Sequence, residues 1–425
     1  MSALRANLRL ARRHPRYFTH LAIKKLQFAR RFRWVRRHGH SDLAVPKPLA
    51  YKLMLNWGCN LRCPMCMLWG DVGWVKEDAK DTGKKELPWE VVEKVFASGL
   101  PWNSSFILSG GEPLMYSHFG PLLRKLREHQ KFAIICTNGM WLDRFDDELA
   151  GNPFPTFLIS LDGGEALNEE LRGKNVYRKV IDNIEHLQRV RPAPFIGIQF
   201  TVMPENVHDM ERFCEEMVER GVDWILLNPG WFVSDEQSRA YEAHMREHFG
   251  IEATTHHGYR RDYEYDKDAF EAALARIWSR NWPIQIASHL KEPEWVQDFI
   301  DRPDALLGNR LCYKQWLRVD VMPEGVVAPC AQFPDLSVGD LNEHEVADVW
   351  HGAANRRFQK HARAHSLPIC AKCDAIYLYG GRGHPDGVPT GDVEGPRESP
   401  ARGKASGPSG SAERPETTTA NLRSD

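Results

Sequence analysis

Between residues 51 and 230 short apolar runs alternate with helical patterns, and this alternation limits the fold more than any other feature of the chain. The runs are 52–57 (KLMLNW), 105–110 (SFILSG), 132–139 (FAIICTNG), 156–163 (TFLISLDG), 195–203 (FIGIQFTVM) and 223–230 (DWILLNPG). Helical spacing falls near 88–99, 117–129, 143–150, 175–190 and 206–220, the last with Asn206 as its expected cap and Gly221 as its stop. Strands that alternate with helices pair in parallel, because a parallel neighbour needs a crossover. The expectation is an α/β protein whose site lies at the carboxyl ends of the strands. Polar motifs gather there: a cysteine loop after the first strand, SGGEP after the second, TNG after the third and SLDGG after the fourth. Residues 231–283 add two helical stretches, near 235–249 and 267–281, and 283–290 reads as one more strand.

The formal net charge is −1, so the whole chain gives no argument for nucleic acid or membrane. Residues 1–40, however, carry twelve Lys/Arg and no Asp or Glu. Phe18, Ala22, Leu26 and Ala29 recur at helical spacing beside Lys24, Lys25, Arg30, Arg31 and Arg33, which suggests an amphipathic helix. It either contacts an anionic membrane or nucleic acid, or simply caps the fold. No run is long and apolar enough to span a bilayer, and no secretory signal is evident. A cytoplasmic location is expected, with cysteines as thiols and metal ligands.

The nine cysteines sort into Cys59, Cys63 and Cys66; Cys312, Cys330, Cys370 and Cys373; and the solitary Cys136 and Cys214. Three thiolates leave zinc's tetrahedral shell incomplete, whereas a [4Fe–4S] cluster can be held by three and keep one iron open. Four suit zinc or a fully ligated cluster equally well. Cys136 and Cys214 read as small core residues, and His256 and His257 as surface histidines.

The CxxxCxxC loop after a first strand resembles the radical S-adenosylmethionine (radical SAM) superfamily, and other motifs follow in the family's order. Gly110, Gly111, Glu112 and Pro113 look like the element that receives the methionyl amine of SAM; Thr137 and Asn138 look like the third-strand cofactor lining. Ser160 and Asp162 match positions contacting the SAM carboxylate or ribose, Arg172 matches a following Arg-Gly, and Gln199 lies where fifth-strand contacts occur. Met65 stands where the family usually has an aromatic packed on the adenine. Cys312-x3-Trp316, the hairpin PEGVVAPC and the segment GDLNEHEVADVW look like a SPASM/twitch extension, and four cysteines fit the single-cluster twitch form.

The resemblance implies a partial (β/α)6 TIM-like barrel with a small C-terminal twitch/SPASM-like α+β iron–sulfur domain. The divisions expected are a basic segment (1–45), the barrel core (46–230), a helical connection with a bridging strand (231–309), the auxiliary domain (310–379) and a disordered tail (380–425). It implies SAM and a [4Fe–4S] cluster held by Cys59, Cys63 and Cys66 as the catalytic centre, and an auxiliary [4Fe–4S] cluster on Cys312, Cys330, Cys370 and Cys373. An external reductant such as flavodoxin or ferredoxin would drive cleavage of SAM to a 5′-deoxyadenosyl radical in an oxidoreductase-type enzyme. The short basic segment favours a small-molecule, sugar-like or lipid-linked substrate, oxidised or epimerised. A peptide- or protein-modifying maturase is the alternative, and a non-catalytic zinc or iron–sulfur electron-transfer protein is the rival of another class.

Overall fold

The computed structural model describes residues 2–376 apart from 40, 42, 78, 192, 303, 308–310 and 374. The tail expected at 380–425 lies outside the described residues. A single sheet organises the chain. Its strands are β1 (Ala50–Met54), β2 (Ser105–Ser109), β3 (Ala133–Thr137), β4 (Pro155–Ser160), β5 (Ile196–Val202), β6 (Trp224–Pro229), β7 (Gln285–Ser288), β8 (Arg318–Val321), β9 (Val326–Ala328) and β10 (Gly339–Asp340). Their spatial order is β10-β9-β8-β1-β2-β3-β4-β5-β6-β7. Strands β1 to β7 run parallel to their neighbours, as the strand–helix alternation requires. The order is open-ended, so the barrel is partial.

The hairpin of the second cysteine region joins this same sheet. β8 pairs in parallel with the free edge of β1, and β9 and β10 continue antiparallel. An edge strand with unpaired N–H and C=O groups invites such a partner.

Along β5 the side chains alternate between two environments. Ile198, Phe200 and Val202 are fully buried beneath the outer helices, while Gln199 and Thr201 keep partial exposure on the opposite face. Parallel register carries that inner face across the sheet, pairing Ser160 with Gln199, Gln199 with Leu226, and Thr201 with Asn228.

The basic N-terminus forms two helices, Ser2–Arg13 and Pro15–His38, and the second caps the amino ends of the strands. Tyr17 packs on Phe132 and Phe195, with ring centroids 5.3 and 4.5 Å away. His14 Nε2 lies 2.9 Å from Asp223 Oδ1, and His20 Nδ1 lies 2.8 Å from Asn103 Oδ1. Lys24 donates to the carbonyls of Leu49 and Asn103, and Arg31 to those of Trp316 and Lys47. The face turned inward is therefore largely polar, because the cap meets backbone carbonyls at the starts of strands. Ala22 and Leu26, read as an apolar stripe, are exposed beside Lys25, Arg30 and Arg33.

One helix differs from the reading above. Asn206 does not cap an α-helix; it sits in a 3-10 turn, Pro204–Asp209, and the α-helix begins at Met210. Pro204 fixes that start, and the buried Asn206 amide donates to the carbonyls of Asp162 and Thr201, both 2.9 Å away, tying the β4 loop to β5.

Candidate active site

The cysteine loop runs from the end of β1 over the carboxyl ends of the strands. Cys63 is buried, and Cys59 and Cys66 are half-buried. Backbone N–H groups point at the sulfurs: Leu61 N lies 3.4 Å from Cys59 Sγ, and Leu68 N and Trp69 N lie 3.4 and 3.5 Å from Cys66 Sγ. Such donors stabilise thiolates bound to iron. Burial pushes the Cys59 thiol up to about 12, with the Leu61 N–H opposing and the Glu112 carboxylate adding to the shift. Burial raises Cys63 also, opposed by the cationic Arg172. Without a metal this pocket disfavours thiolates, so the trio suits a cationic centre that supplies the missing positive charge.

Spacing also bears on the group they hold. Around one zinc, bonds of about 2.3 Å place sulfurs roughly 3.8 Å apart. Among the described residues, three potential ligand atoms come within 4.8 Å of one another only at Glu242, His256 and His257. The thiol sets do not meet that limit, and three thiolates without a fourth ligand suit a [4Fe–4S] cluster with one iron open. The residues fit an iron–sulfur cluster.

The SGGEP segment packs directly onto this loop. Gly111 N donates to Asn56 O at 2.9 Å and Glu112 N to Gly58 O at 2.7 Å. A Cβ on Gly111 would lie 2.1 Å from Gly58 O, and one on Gly110 (φ +149°) would lie 2.5 Å from Asn56 O. The close approach that requires glycine is therefore to the backbone of the cysteine loop. Glu112 is buried, and its carboxylate accepts from Thr137 Oγ1 at 2.6 Å, Asn138 N at 2.8 Å and Leu114 N at 3.0 Å. Burial pushes this carboxyl up to about 7 against those three donors. Asn138 also donates to Asn60 Oδ1 at 2.8 Å, so the second, third and first strand loops form one network.

A second network lies opposite. Asp162 is fully buried, pairs with Arg172 Nε at 2.7 Å and accepts from Thr201 N at 2.7 Å. Burial opposes the Arg172 charge, but Asp162 and Cys63 more than offset it and raise its pKa. Ser160 and Gln199 lie half-buried on the inner face, and Met65 is half-exposed on the cysteine loop; Pro113 is buried. Cys214 is buried as expected, whereas Cys136 lies on the partly exposed face of β3, opposite Ala133 and Ile135. Asn228 and Trp231, on and after β6, each have a buried polar atom, Oδ1 and Nε1, with no hydrogen-bond partner.

The second cysteine group is built around the hairpin. Cys312 and Cys330 flank the β8–β9 unit, and Cys370 opens the short 3-10 turn Cys370–Lys372 that ends at Cys373. Burial raises the Cys312 and Cys370 thiols, each in the electrostatic field of other cysteines of the set. The buried Lys314 supplies positive charge beside them, 2.9 Å from Asp320 Oδ2, and Arg318 Nε holds the other Asp320 oxygen at 2.6 Å. These four thiols likewise fit a cluster.

Sequence reasoning missed the segment 254–261, which seats the cysteine loop. Arg261 donates to Pro64 O at 2.6 Å and Cys66 O at 3.2 Å, and Tyr259 Oη contacts Met67 Sδ. A Cβ on Gly258 would come 2.3 Å from Met67 O. Asp335 anchors the segment's start through Thr254 N, Thr255 N and Thr255 Oγ1. No periodicity marks this loop in the sequence; only Gly258 hints at a close approach. His256 is fully buried rather than at the surface.

Comparisons with known proteins agree with this geometry. A family model described as the radical SAM superfamily matches residues 57–217, and one described as an iron–sulfur cluster-binding domain (SPASM) matches 312–374. The chain is 27% identical over 206 residues to Fe-coproporphyrin III synthase of Methanosarcina barkeri, covering 45% of this chain and 48%, about half, of that protein. It is 25% identical over 330 residues to pre-heme d1 synthase of Dinoroseobacter shibae, covering 72% and 74%. Among solved structures, Streptococcus suis SuiB bound to precursor peptide SuiA aligns with a TM-score of 0.55 at 17% identity, over 83% of this chain and 76% of that one. The chain therefore carries a radical SAM domain over residues 57–217 and a C-terminal SPASM domain over 312–374, which imply SAM, a [4Fe–4S] cluster and auxiliary iron–sulfur as this chain's cofactors.

Proposed function

We propose that this chain is an oxidoreductase-type radical SAM enzyme acting on a small polar molecule, with one auxiliary [4Fe–4S] cluster on Cys312, Cys330, Cys370 and Cys373. When bound, SAM and the first cluster supply a 5′-deoxyadenosyl radical that takes a hydrogen atom from substrate. Cys59, Cys63 and Cys66 would hold that cluster. Glu112 would accept the methionyl ammonium, a role its spare lone pair suits. Thr137 and Asn138 orient its carboxylate, and Arg172, held by Asp162, places positive charge beside Cys63. Gly110, Gly111 and Pro113 set the loop; Met65, Ser160 and Gln199 would complete the SAM contacts.

The single observation behind the substrate class is the inner face of β4 to β6. Beyond Ser160 and Gln199, assigned to SAM, it offers Thr201 and Asn228, both uncharged and hydrogen-bonding, with Asn228 Oδ1 buried and unpartnered. Such a lining suits hydroxyl- or amide-bearing groups. The peptide in the SuiB structure makes peptide modification the second reading. The four cysteines of the second set would leave no iron open, so that cluster passes electrons rather than binding substrate. An external reductant of the flavodoxin or ferredoxin type is part of this reading.

The test is anaerobic reconstitution followed by an assay of 5′-deoxyadenosine formed under reduction. Cys63→Ala should abolish it, and retained formation would reject the assignment. The low-molecular-weight fraction of a cell extract should stimulate formation by the wild type. Stimulation confined to the macromolecular fraction would overturn the small-molecule reading in favour of a peptide.

A further inference from the structure

Apart from the cluster cysteines, one group of three side chains among the described residues brings its possible metal-ligating atoms close together. The helix Asp235–Phe249 carries Glu242, and the 3-10 turn Thr255–Tyr259 carries His256 and His257. Their ligand atoms all lie within 4.8 Å of one another. Glu242 Oε1 is 3.1 Å from His256 Nε2 and 3.7 Å from His257 Nε2. For zinc with bonds of 2.0–2.2 Å to nitrogen and oxygen, tetrahedral ligands stand about 3.3 Å apart, so the two separations bracket that value.

We propose that Glu242, His256 and His257 bind a divalent transition metal of the zinc class, separate from the iron–sulfur centres. A plain hydrogen bond would account for His256 and Glu242 alone. It would not account for a second imidazole directed at the same carboxylate oxygen. The donor set, two imidazoles and a carboxylate, is one zinc takes readily, with the fourth position left to water. Water can reach it, because Glu242 and His257 are 34% and 44% exposed, while His256 is 0% exposed and anchors the set.

The position gives the metal a consequence. His256 and His257 immediately precede Gly258 and Tyr259, which with Arg261 seat the cysteine loop. Joining this turn to the helix Asp235–Phe249 would fix the support beneath the SAM cluster's loop.

The experiment uses the full chain with its clusters reconstituted, dialysed against a mild chelator and then titrated with Zn2+ alone. Stoichiometric zinc retention is expected, with a zinc X-ray absorption shell of nitrogen and oxygen only. Glu242→Gln should weaken zinc binding at least about tenfold, the loss of one charged ligand, without changing iron content. His257→Gln, at a half-exposed position that tolerates change, gives a second reading should Glu242→Gln fold poorly. Equal zinc in wild type and both variants, no retained zinc, or a shell containing sulfur would overturn the proposal.

Discussion

At the scale of single residues, Glu112 concentrates the most chemistry. Its carboxylate closes a network from Thr137, Asn138 and Leu114, and burial pushes its carboxyl from an ordinary 4.5 to about 7. Between those values the folded chain holds a proton that the unfolded chain has released. The stability this group contributes is therefore greatest below about 4.5, falls as pH rises to about 7, and is level above it. SAM binding runs the other way, since an ammonium needs the ionised carboxylate: affinity should tighten as pH rises through 7. Glu112→Gln removes both dependences and, by the worth of a charge-assisted hydrogen bond of about 1.5–3 kcal/mol, should weaken SAM ten- to a hundredfold. Equilibrium dialysis of SAM on either side of pH 7 measures this, and an unchanged profile in the variant would reject the role. The GGEP motif was plain in the sequence. That its glycines answer to the cysteine loop was not, because loop–loop packing leaves no periodic trace.

At the scale of elements, the parallel strands were legible because each is a short apolar run bounded by turn residues. β2, β3, β5 and β6 fall within a residue or two of where the pattern puts them, while β4 ends three residues early, at Ser160. Helices with mixed faces were harder. Ala353–Ala364, rich in Arg and His, escaped notice, as did Ser2–Arg13. The helix Pro15–His38 was recognised as a helix but not by its buried face. Lys24 and Arg31 turn inward to carbonyls, which no hydropathy pattern predicts. Deleting residues 1–45 would therefore uncover Phe132 and Phe195 and unfold the base of the sheet, confounding any membrane assay. The outward face allows a cleaner one. Peripheral contact with an anionic membrane, proposed for this segment, rests on Leu26, 64% exposed, beside Lys25, Arg30 and Arg33. Leu26→Ser combined with Lys25→Gln and Arg30→Gln should leave the melting temperature within a few degrees and abolish co-sedimentation with anionic vesicles. Binding equal to wild type would remove the membrane from the account.

At the scale of the molecule, the two cysteine centres share one scaffold. β8, between Cys312 and Cys330, is hydrogen-bonded along the edge of β1, which leads straight into the cysteine loop. Trp57 Nε1, beside that loop, donates to Glu324 Oε1 at the hairpin turn, 2.9 Å away. Tyr241 Oη and the 254–261 segment meet at Asp335. No helix among the described residues is long and apolar enough to cross a membrane. Two cysteine clusters far apart in sequence invite the idea of two domains, and family models do match two segments. Yet breaking the second centre should not release an independent unit. Cys370→Ala should lower iron from about eight to about four per chain. It should also shift the entire thermal transition down as one step, because loosening β8 exposes the edge of β1. Reductive cleavage of SAM should persist, since Cys59, Cys63 and Cys66 are untouched, while conversion of substrate is lost for want of an electron acceptor. Calorimetry with the iron count decides the matter: two resolved transitions would mean that the hairpin is an appendage, and that the continuity of the sheet is not what couples the centres.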